Sequence, residues 1–363
     1  MIIVTLSSII ALYLTFLNAK GVFRKGMLCG FILVTLVQGL RYDYGNDYMN
    51  YFRDFEKFKS LPLSLDTILD AYQLYNVEPG WLMINVLVSL FGGFFLFVLL
   101  ITIIQSAIYY NFIKKNVQLK YWYISVFLYL FTTTTGYLIN MTMMRQGFAI
   151  TLFLLAFPYI RQRKWLPALI ITLISGSMHL SALLLVPISF AGFINFRHNR
   201  IVALVLLIVF FVLLTSSSIL KNIVSHFFLL DMLNYAQYED SEKGSLGYGI
   251  MVMTIPFFVF IYLLYKKMLC REASLLLFLS CFFILIQPFA QVINIVSRVG
   301  YYFYALYLAS VPYAYSRIIQ PFRTYLYVIM ILFIIWTYVF FFVPGSSIYA
   351  PYYLNYKTIF SVI

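Results

Sequence analysis

Charged residues are scarce in this sequence. They make up 10% of the 363 residues, whereas soluble domains contain about 25% charged residues. Apolar residues make up 63%, which is more than a soluble core of this length could bury. Soluble, disordered and fibrous proteins are therefore excluded. Several apolar runs reach roughly the 17–25 residues that a membrane-spanning helix needs, so we predict an all-α polytopic membrane protein.

Other features that the sequence lacks exclude several kinds of site. The three cysteines lie outside long polar loops, so we expect no disulfide framework. Histidine and cysteine residues do not occur at metal-ligand spacing, and neither a Walker-type nor a dinucleotide-binding glycine motif is present. The first residues lack a positively charged segment, which favours a spanning helix over a cleaved signal peptide. We expect neither a metal nor a cofactor.

The apolar pattern predicts a single membrane domain over residues 1–363 with about twelve spanning helices. The stretch 165–196 is interpreted as two short segments that meet at His179, either as two spans or as a re-entrant segment. The predicted spans are 1–17, 26–40, 80–113, 121–140, 145–160, 165–178, 180–196, 201–220, 249–265, 273–293, 299–316 and 324–343.

The distribution of charge predicts the orientation. With a break at His179, one side of the membrane carries 16 of the 25 basic residues and a single acidic residue, Glu272. The other side carries the remaining 9 basic residues and 11 of the 12 acidic residues. Because short basic loops stay in the cytoplasm, both termini and the long loops 41–79 and 221–248 are predicted to be extracytoplasmic. The net positive charge therefore indicates topology and does not imply nucleic-acid binding.

The loop 41–79 contains aromatic residues at helical spacing on one face and acidic residues on another, which predicts an amphipathic helix. One interpretation is an interfacial helix whose aromatic rings lie at the level of the lipid headgroups. The other is that the rings stack on sugars and the acids bind hydroxyls or act as bases. On this second interpretation, Tyr48 and Tyr51 bind sugar and Asp47 is a candidate catalytic base.

Three arginines, Arg41, Arg145 and Arg298, stand at the outer ends of predicted spans, where the positive-inside rule gives no reason for them. Such side chains can snorkel to headgroup phosphates. The alternative is a fixed anion site, because forked guanidinium hydrogen bonds suit a diphosphate. We hypothesise that all three bind a diphosphate.

A polar stripe recurs at helical spacing near the outer end of the tenth span. Lipid would not tolerate such a stripe, so it must face other helices or a wet cavity. Interhelical hydrogen bonding would explain its amides, and the alternative assigns Gln291 and Asn294 to sugar binding. The stripe comprises Gln287, Gln291, Asn294 and Arg298.

Two further residues are candidates for a catalytic role. Glu78 precedes the third span, where an acid either complements the helix dipole or positions sugar hydroxyls. His179 is either a hydrogen-bonded structural residue or a proton-transfer group, because its ordinary pKa suits that role. The choice of base between Asp47 and His179 stays open.

Several short motifs resemble, in order, the blocks of the EpsG/Wzy-like family of polysaccharide polymerases. Residues 41–48, followed by Tyr51 and Phe55, are similar to its R-x-x-x-G-x-D-Y…Y…F signature, with Asn46 where many members have Thr. The later blocks correspond to residues 78–81, 144–149, 178–182 and 297–303.

The resemblance implies a bacterial glycosyltransferase in the cytoplasmic (inner) membrane. Such an enzyme transfers a growing glycan from undecaprenyl diphosphate to a new lipid-linked repeat at the extracytoplasmic (periplasmic) face. The products are O-antigen for lipopolysaccharide, capsule or exopolysaccharide. The implied partners are lipid-linked oligosaccharides, membrane lipid and a chain-length regulator protein, without nucleic acid.

Two other activities use the same lipid diphosphate. A flippase or transporter would bind it, although such a protein should carry charges near mid-membrane and show related halves. An O-antigen ligase would share the donor and the leaving group. Both remain alternatives to a polymerase.

Overall fold

The described part of the molecule is almost entirely helical. A computed structural model describes residues 1–133, 136–194, 199–215, 248–266, 269–291, 298–343 and 350–361. Within these ranges, four helices are long and apolar enough to cross a membrane, and seven shorter helices are apolar. The predicted all-α membrane fold is therefore confirmed, whereas the number of spans and the side of each terminus stay predictions. The four long helices are Ile2–Ala19, Phe94–Asn116, Arg271–Phe289 and Phe322–Phe342.

The chain divides into two compact units, and the single membrane domain over residues 1–363 stays a prediction. The first unit contains most of the candidate site residues, and the second contains Arg298. The first consists of Met1–Leu155, Ile170–Leu183 and Ile335–Ile363, and the second of Ala156–Leu169 and Leu184–Ile334.

Up to residue 161, the described chain contains α-helices of 5 to 23 residues and one strand of 2 residues. A 3-10 helix, Leu119–Tyr121, precedes α8. In chain order the elements are α1 (Ile2–Ala19), α2 (Gly26–Gly39), β1 (Arg41–Tyr42), α3 (Tyr48–Phe58), α4 (Leu65–Leu69), α5 (Ala71–Tyr75), α6 (Pro79–Ser89), α7 (Phe94–Asn116), α8 (Trp122–Phe131), α9 (Tyr137–Thr142), α10 (Met144–Leu154) and α11 (Phe157–Arg161).

The rest of the described chain adds further helices and a second short strand. Its 3-10 helices are Leu180–Phe193, Gln287–Gln291 and Ile359–Ser361. The remaining elements are α12 (Trp165–Met178), α13 (Asn199–Thr215), α14 (Tyr248–Tyr265), α15 (Arg271–Ile286), α16 (Gly300–Tyr304), α17 (Tyr307–Arg317), α18 (Phe322–Phe342), α19 (Pro351–Leu354) and β2 (Lys357–Thr358).

Several predicted spans are interrupted, and this corrects the boundaries read from the sequence. The predicted span 80–113 is two helices, because α6 ends at Ser89 and α7 begins at Phe94. Gly93 precedes α7 with an extended backbone, and glycine is a poor helix former. Because the residues on both sides of Gly93 are apolar, the hydropathy pattern predicted one continuous span. Interruptions also fall within the predicted spans 121–140, 145–160 and 299–316.

The predicted break at His179 is confirmed. The α-helix α12 ends at Met178, and the 3-10 helix that follows begins at Leu180. Because a new helix begins at Leu180, its first backbone N–H groups have no partners within that helix. The break thus creates a local need for hydrogen-bond acceptors.

The predicted amphipathic helix is α3, and its aromatic face is buried in the protein. The Phe55 and Phe97 ring centroids lie 5.5 Å apart, and those of Tyr51 and Trp81 lie 5.8 Å apart. Each fully buried large apolar side chain contributes about 1.5–3 kcal/mol. This packing argues against an interfacial helix with its rings among lipid headgroups. The buried residues of α3 are Tyr48, Tyr51, Phe55 and Phe58.

Residues 350–361, here called the C-terminal strap, cover the turn that precedes α3. Strand β2 pairs antiparallel with β1, which places Arg41 opposite Thr358. The Tyr44 ring packs edge-on against Tyr353, with the centroids 5.1 Å apart. The turn is therefore held from the far end of the sequence.

Gly45 lies in this turn and can be replaced only at a cost. Its φ angle is +109°, and an added Cβ would lie 2.4 Å from the carbonyl oxygen of Met141. Its N–H donates to the carbonyl oxygen of Tyr352 in the strap at 3.2 Å. Only glycine combines the positive φ with this close approach.

The substitution Gly45→Ala should destabilise the protein more than Gly21→Ala. Both glycines have positive φ, but a Cβ at Gly21 would meet nothing within 4 Å. Backbone strain alone costs about 1–2 kcal/mol, and the clash at Gly45 adds about 1–3 kcal/mol. Thermal unfolding of both variants in detergent tests this difference. Equal shifts in melting temperature would contradict the packing described for Gly45.

Candidate active site

An ion pair between Glu78 and Arg145 forms the centre of the candidate site. The Glu78 Oε2 lies 2.9 Å from the Arg145 Nη1. Glu78 stands before Pro79, which starts α6 because proline is favoured at the first helical position. The Glu78 side chain makes no hydrogen bond to its own helix end. It reaches instead to Arg145 in the first turn of α10.

The second carboxylate oxygen of Glu78 accepts a hydrogen bond from the backbone at the break that follows α12. The Leu180 N–H donates to Glu78 Oε1 at 3.2 Å. Glu78 therefore ties α6 both to α10 and to the start of the 3-10 helix. Since both oxygens are engaged, this geometry favours a positioning role for Glu78 over proton transfer or direct sugar binding.

Arg145 is held firmly but keeps unused hydrogen-bonding capacity. Tyr51 of α3 accepts a hydrogen bond from Arg145. The Arg145 Nε is buried and has no acceptor among the described residues. The Arg145 side chain is 29% exposed, whereas that of Glu78 is 8% exposed. A fixed, partly exposed guanidinium with a spare donor is suited to bind an anion.

Asp54 belongs to the acidic face of the predicted amphipathic helix but was not singled out as a site residue, and the structure places it near Arg145. It is half-buried on α3, and burial raises the pKa of its carboxyl while nearby Arg145 opposes that rise. Asp47, Tyr51 and Asp54 are spaced at i, i+4 and i+7, which places them on one face of a helix. That spacing is the signal that could have identified Asp54.

Asp47 occupies the N-cap position of α3, yet its side chain makes no capping hydrogen bond. The Asn46 Nδ2 donates to its Oδ1 at 3.3 Å. The carboxylate is half-buried at the end of the face that carries Tyr51. The carboxylate therefore lies close enough to interact with Tyr51 and does not cap the helix.

The Nδ1 atom of His179 accepts a hydrogen bond, which leaves Nε2 as the donor atom of the ring. The Ser181 N–H donates to His179 Nδ1 at 3.3 Å, and the Ser181 Oγ lies 2.8 Å from the same nitrogen. A neutral imidazole that accepts at Nδ1 carries its proton on Nε2. This arrangement favours a hydrogen-bond donor role for His179 and argues against a general-base role.

Arg41 is fully buried and bonds to backbone carbonyls. Its guanidinium donates to Tyr44 O and Met141 O, each at 3.2 Å, and to Gln38 O. Burial lowers the pKa of this guanidinium. The burial argues against contact with a diphosphate and favours a structural role for Arg41.

Tyr48 is also fully buried, which argues against its predicted contact with sugar. Its hydroxyl donates to the Arg41 carbonyl oxygen at 2.9 Å, and its ring lies 5.3 Å from the Arg41 guanidinium carbon. Burial raises the pKa of Tyr48 to about 12. Tyr51 is buried too, with 8% of its surface exposed, and it contacts Arg145 instead.

The remaining candidates are in the second unit or outside the described residues. Arg298 belongs to the second unit and is half-buried. The Gln291 side chain and Asn294 lie outside the described residues, as does the loop 221–248 except for its last residue. The roles of these residues stay predictions. Within the described ranges, no group of His, Cys, Asp and Glu could hold a metal ion.

Comparison with protein families gives one match. The model of the EpsG family matches residues 26–358. That range contains every candidate site residue. No curated protein and no solved structure matches the chain.

The substitution Glu78→Gln should destabilise the protein because it leaves the largely buried Arg145 without a carboxylate. Breaking a buried pair costs about 3–5 kcal/mol, and the partial exposure of Arg145 reduces our expectation to about 2 kcal/mol. Glu56→Gln is the matched control, since Glu56 pairs with Lys59 at an exposed surface. Its effect should stay below about 0.5 kcal/mol. Denaturation of the two variants in detergent compares them, and equal effects would contradict the positioning role of Glu78.

Proposed function

Because the chain belongs to the EpsG family, we propose that it is a membrane glycosyltransferase that polymerises lipid-linked oligosaccharide repeats. The donor in this proposal is a glycan on undecaprenyl diphosphate, and the acceptor is a new lipid-linked repeat. The reaction takes place at the outer face of the bacterial cytoplasmic membrane. Family membership supports the polymerase-like role in general, and the donor lipid and the membrane face belong to the proposal.

The observation that carries the proposed mechanism is the geometry of Arg145. Glu78 fixes the guanidinium, and the buried Nε still lacks an acceptor among the described residues. A preorganised donor of this kind stabilises charge that develops on a leaving group. We assign Arg145 to the departing diphosphate. Diphosphate binding by Arg298, which belongs to the second unit, stays a prediction from the sequence.

The proposed proton acceptor is Asp47. Its carboxylate lies at the start of α3, on the face that also carries Tyr51 and Asp54. In the proposed step, the acceptor hydroxyl gives its proton to Asp47 while its oxygen bonds to the donor C1. The bond between C1 and the phosphate oxygen breaks, and the diphosphate leaves with the electron pair. The Nε2–H of His179 is a donor to substrate oxygen.

Replacing Arg145 by Lys should slow chain lengthening by about 100- to 1000-fold, as for the loss of one preorganised donor. Lysine keeps the charge but cannot reproduce the planar set of donors. Arg53→Lys is the control, since Arg53 is an exposed arginine on α3 that takes no part in the proposed mechanism. Surface-glycan gels at matched protein level measure both variants. Normal glycan length in cells with the Arg145→Lys variant would contradict the proposed role of Arg145 in stabilising the departing diphosphate.

Replacing Asp47 by Asn should reduce the rate by about 100- to 10,000-fold, the usual contribution of a general base. The control is Asp43→Asn, because Asp43 is exposed with φ +46° and asparagine tolerates that conformation. The same assay on His179→Gln should give a smaller loss. A larger loss of rate in His179→Gln than in Asp47→Asn would indicate that His179 is the general base.

The overall activity is tested by deleting the gene and restoring it on a plasmid. A glycan ladder that collapses to a single repeat and returns with the plasmid is the expected result. Lipid-linked repeats retained on the inner leaflet would indicate a flippase instead. Polymer retained on its lipid at the outer leaflet would indicate an O-antigen ligase.

A further inference from the structure

The second unit contains a cavity that is separate from the candidate active site. Its volume is about 790 Å³, which falls within the size range of small-molecule sites. It lies where the ends of α14 and α17 meet the start of α18. No residue of the proposed mechanism lines it.

The lining of the cavity is amphipathic. Two cationic side chains, Lys266 and Arg317, stand in a wall that is otherwise mostly aliphatic. The Lys266 Nζ lies 5.4 Å from the centroid of the Tyr262 ring, which also lines the cavity. Neither cation forms an ion pair with a carboxylate of the described residues. The aliphatic residues are Val259, Leu263, Leu269, Ile318, Ile319 and Leu326.

The mouth of the cavity is apolar and exposed. Ile319 is 77% exposed and Phe322 is 69% exposed, and both line the cavity. In a spanning protein, exposed apolar residues such as these meet lipid. Lys266 and Arg317 belong to the basic set that charge bias predicts to be cytoplasmic. The predicted topology therefore puts the mouth at the cytoplasmic leaflet.

We propose that this cavity binds an anionic phospholipid of the cytoplasmic leaflet. Lys266 and Arg317 contact the phosphate, because both side chains donate charge-assisted hydrogen bonds to phosphate oxygens. The aliphatic wall accommodates the first carbons of an acyl chain. An acidic peptide fits less well, because it would leave the apolar mouth uncovered. The proposal is independent of the glycosyltransferase activity.

Native mass spectrometry of the full-length protein in detergent tests the proposal. The probes are phosphatidylglycerol, which is anionic, and phosphatidylcholine, which is zwitterionic. The unmodified protein should retain phosphatidylglycerol preferentially. Lys266→Gln combined with Arg317→Gln should weaken phosphatidylglycerol binding about tenfold, since each cation near an anionic headgroup contributes a few-fold in affinity. Binding of phosphatidylcholine should not change.

The matched control combines Lys20→Gln with Lys120→Gln. These lysines are also predicted to be cytoplasmic, and each lies beside an aromatic ring, at 5.5 Å from Phe16 and 4.9 Å from Tyr121. This control should bind phosphatidylglycerol like the unmodified protein. Equal weakening in the two double variants would overturn the site, because it would indicate a general surface-charge effect.

A third variant tests the acyl-chain contact with both cations in place. Ile319→Trp enlarges an exposed side chain at the mouth, so the fold should tolerate it. We expect weaker binding of phosphatidylglycerol. Unchanged binding in this variant, or displacement of the lipid by a soluble glutamate-rich peptide, would overturn the proposal.

Discussion

The described structure depends on one constraint, which is that interrupted helices in apolar surroundings leave backbone groups without partners. An unpaired group there costs several kcal/mol. Charged side chains satisfy these groups. Arg41 donates to carbonyls at the ends of α2 and α9, and Glu78 accepts from Leu180 where the 3-10 helix begins. In the second unit, Arg271 donates to the carbonyls of Arg161 and Gly192.

The same constraint explains why the proposed site lies where it does. A break such as that at His179 places irregular backbone beside buried charge. Glu78 satisfies that backbone with one oxygen and orients Arg145 with the other. Because the orientation is fixed before substrate arrives, the guanidinium needs little reorganisation when charge develops on a leaving group. In the proposed site, one carboxylate therefore both supports the backbone and orients the guanidinium.

The structure also separates arginines that are equivalent in the sequence. Arg41 and Arg145 both stand at predicted span ends, but Arg41 is fully buried on carbonyl oxygens whereas Arg145 is partly exposed. One of the carbonyls that binds Arg41 belongs to Met141, a hundred positions later. No local pattern could distinguish an arginine used for structure from one available to an anion.

The sequence by itself determined the all-α membrane class, the amphipathic helix α3 and the break at His179. Each depends on composition or on periodicity within a few turns, which neighbouring residues define. Only the tertiary structure decided that Glu78 pairs with Arg145 and that Asp54 lies near that pair. Ion pairs and burial depend on which distant segments come together, and apolar runs in a membrane protein carry little information about that choice.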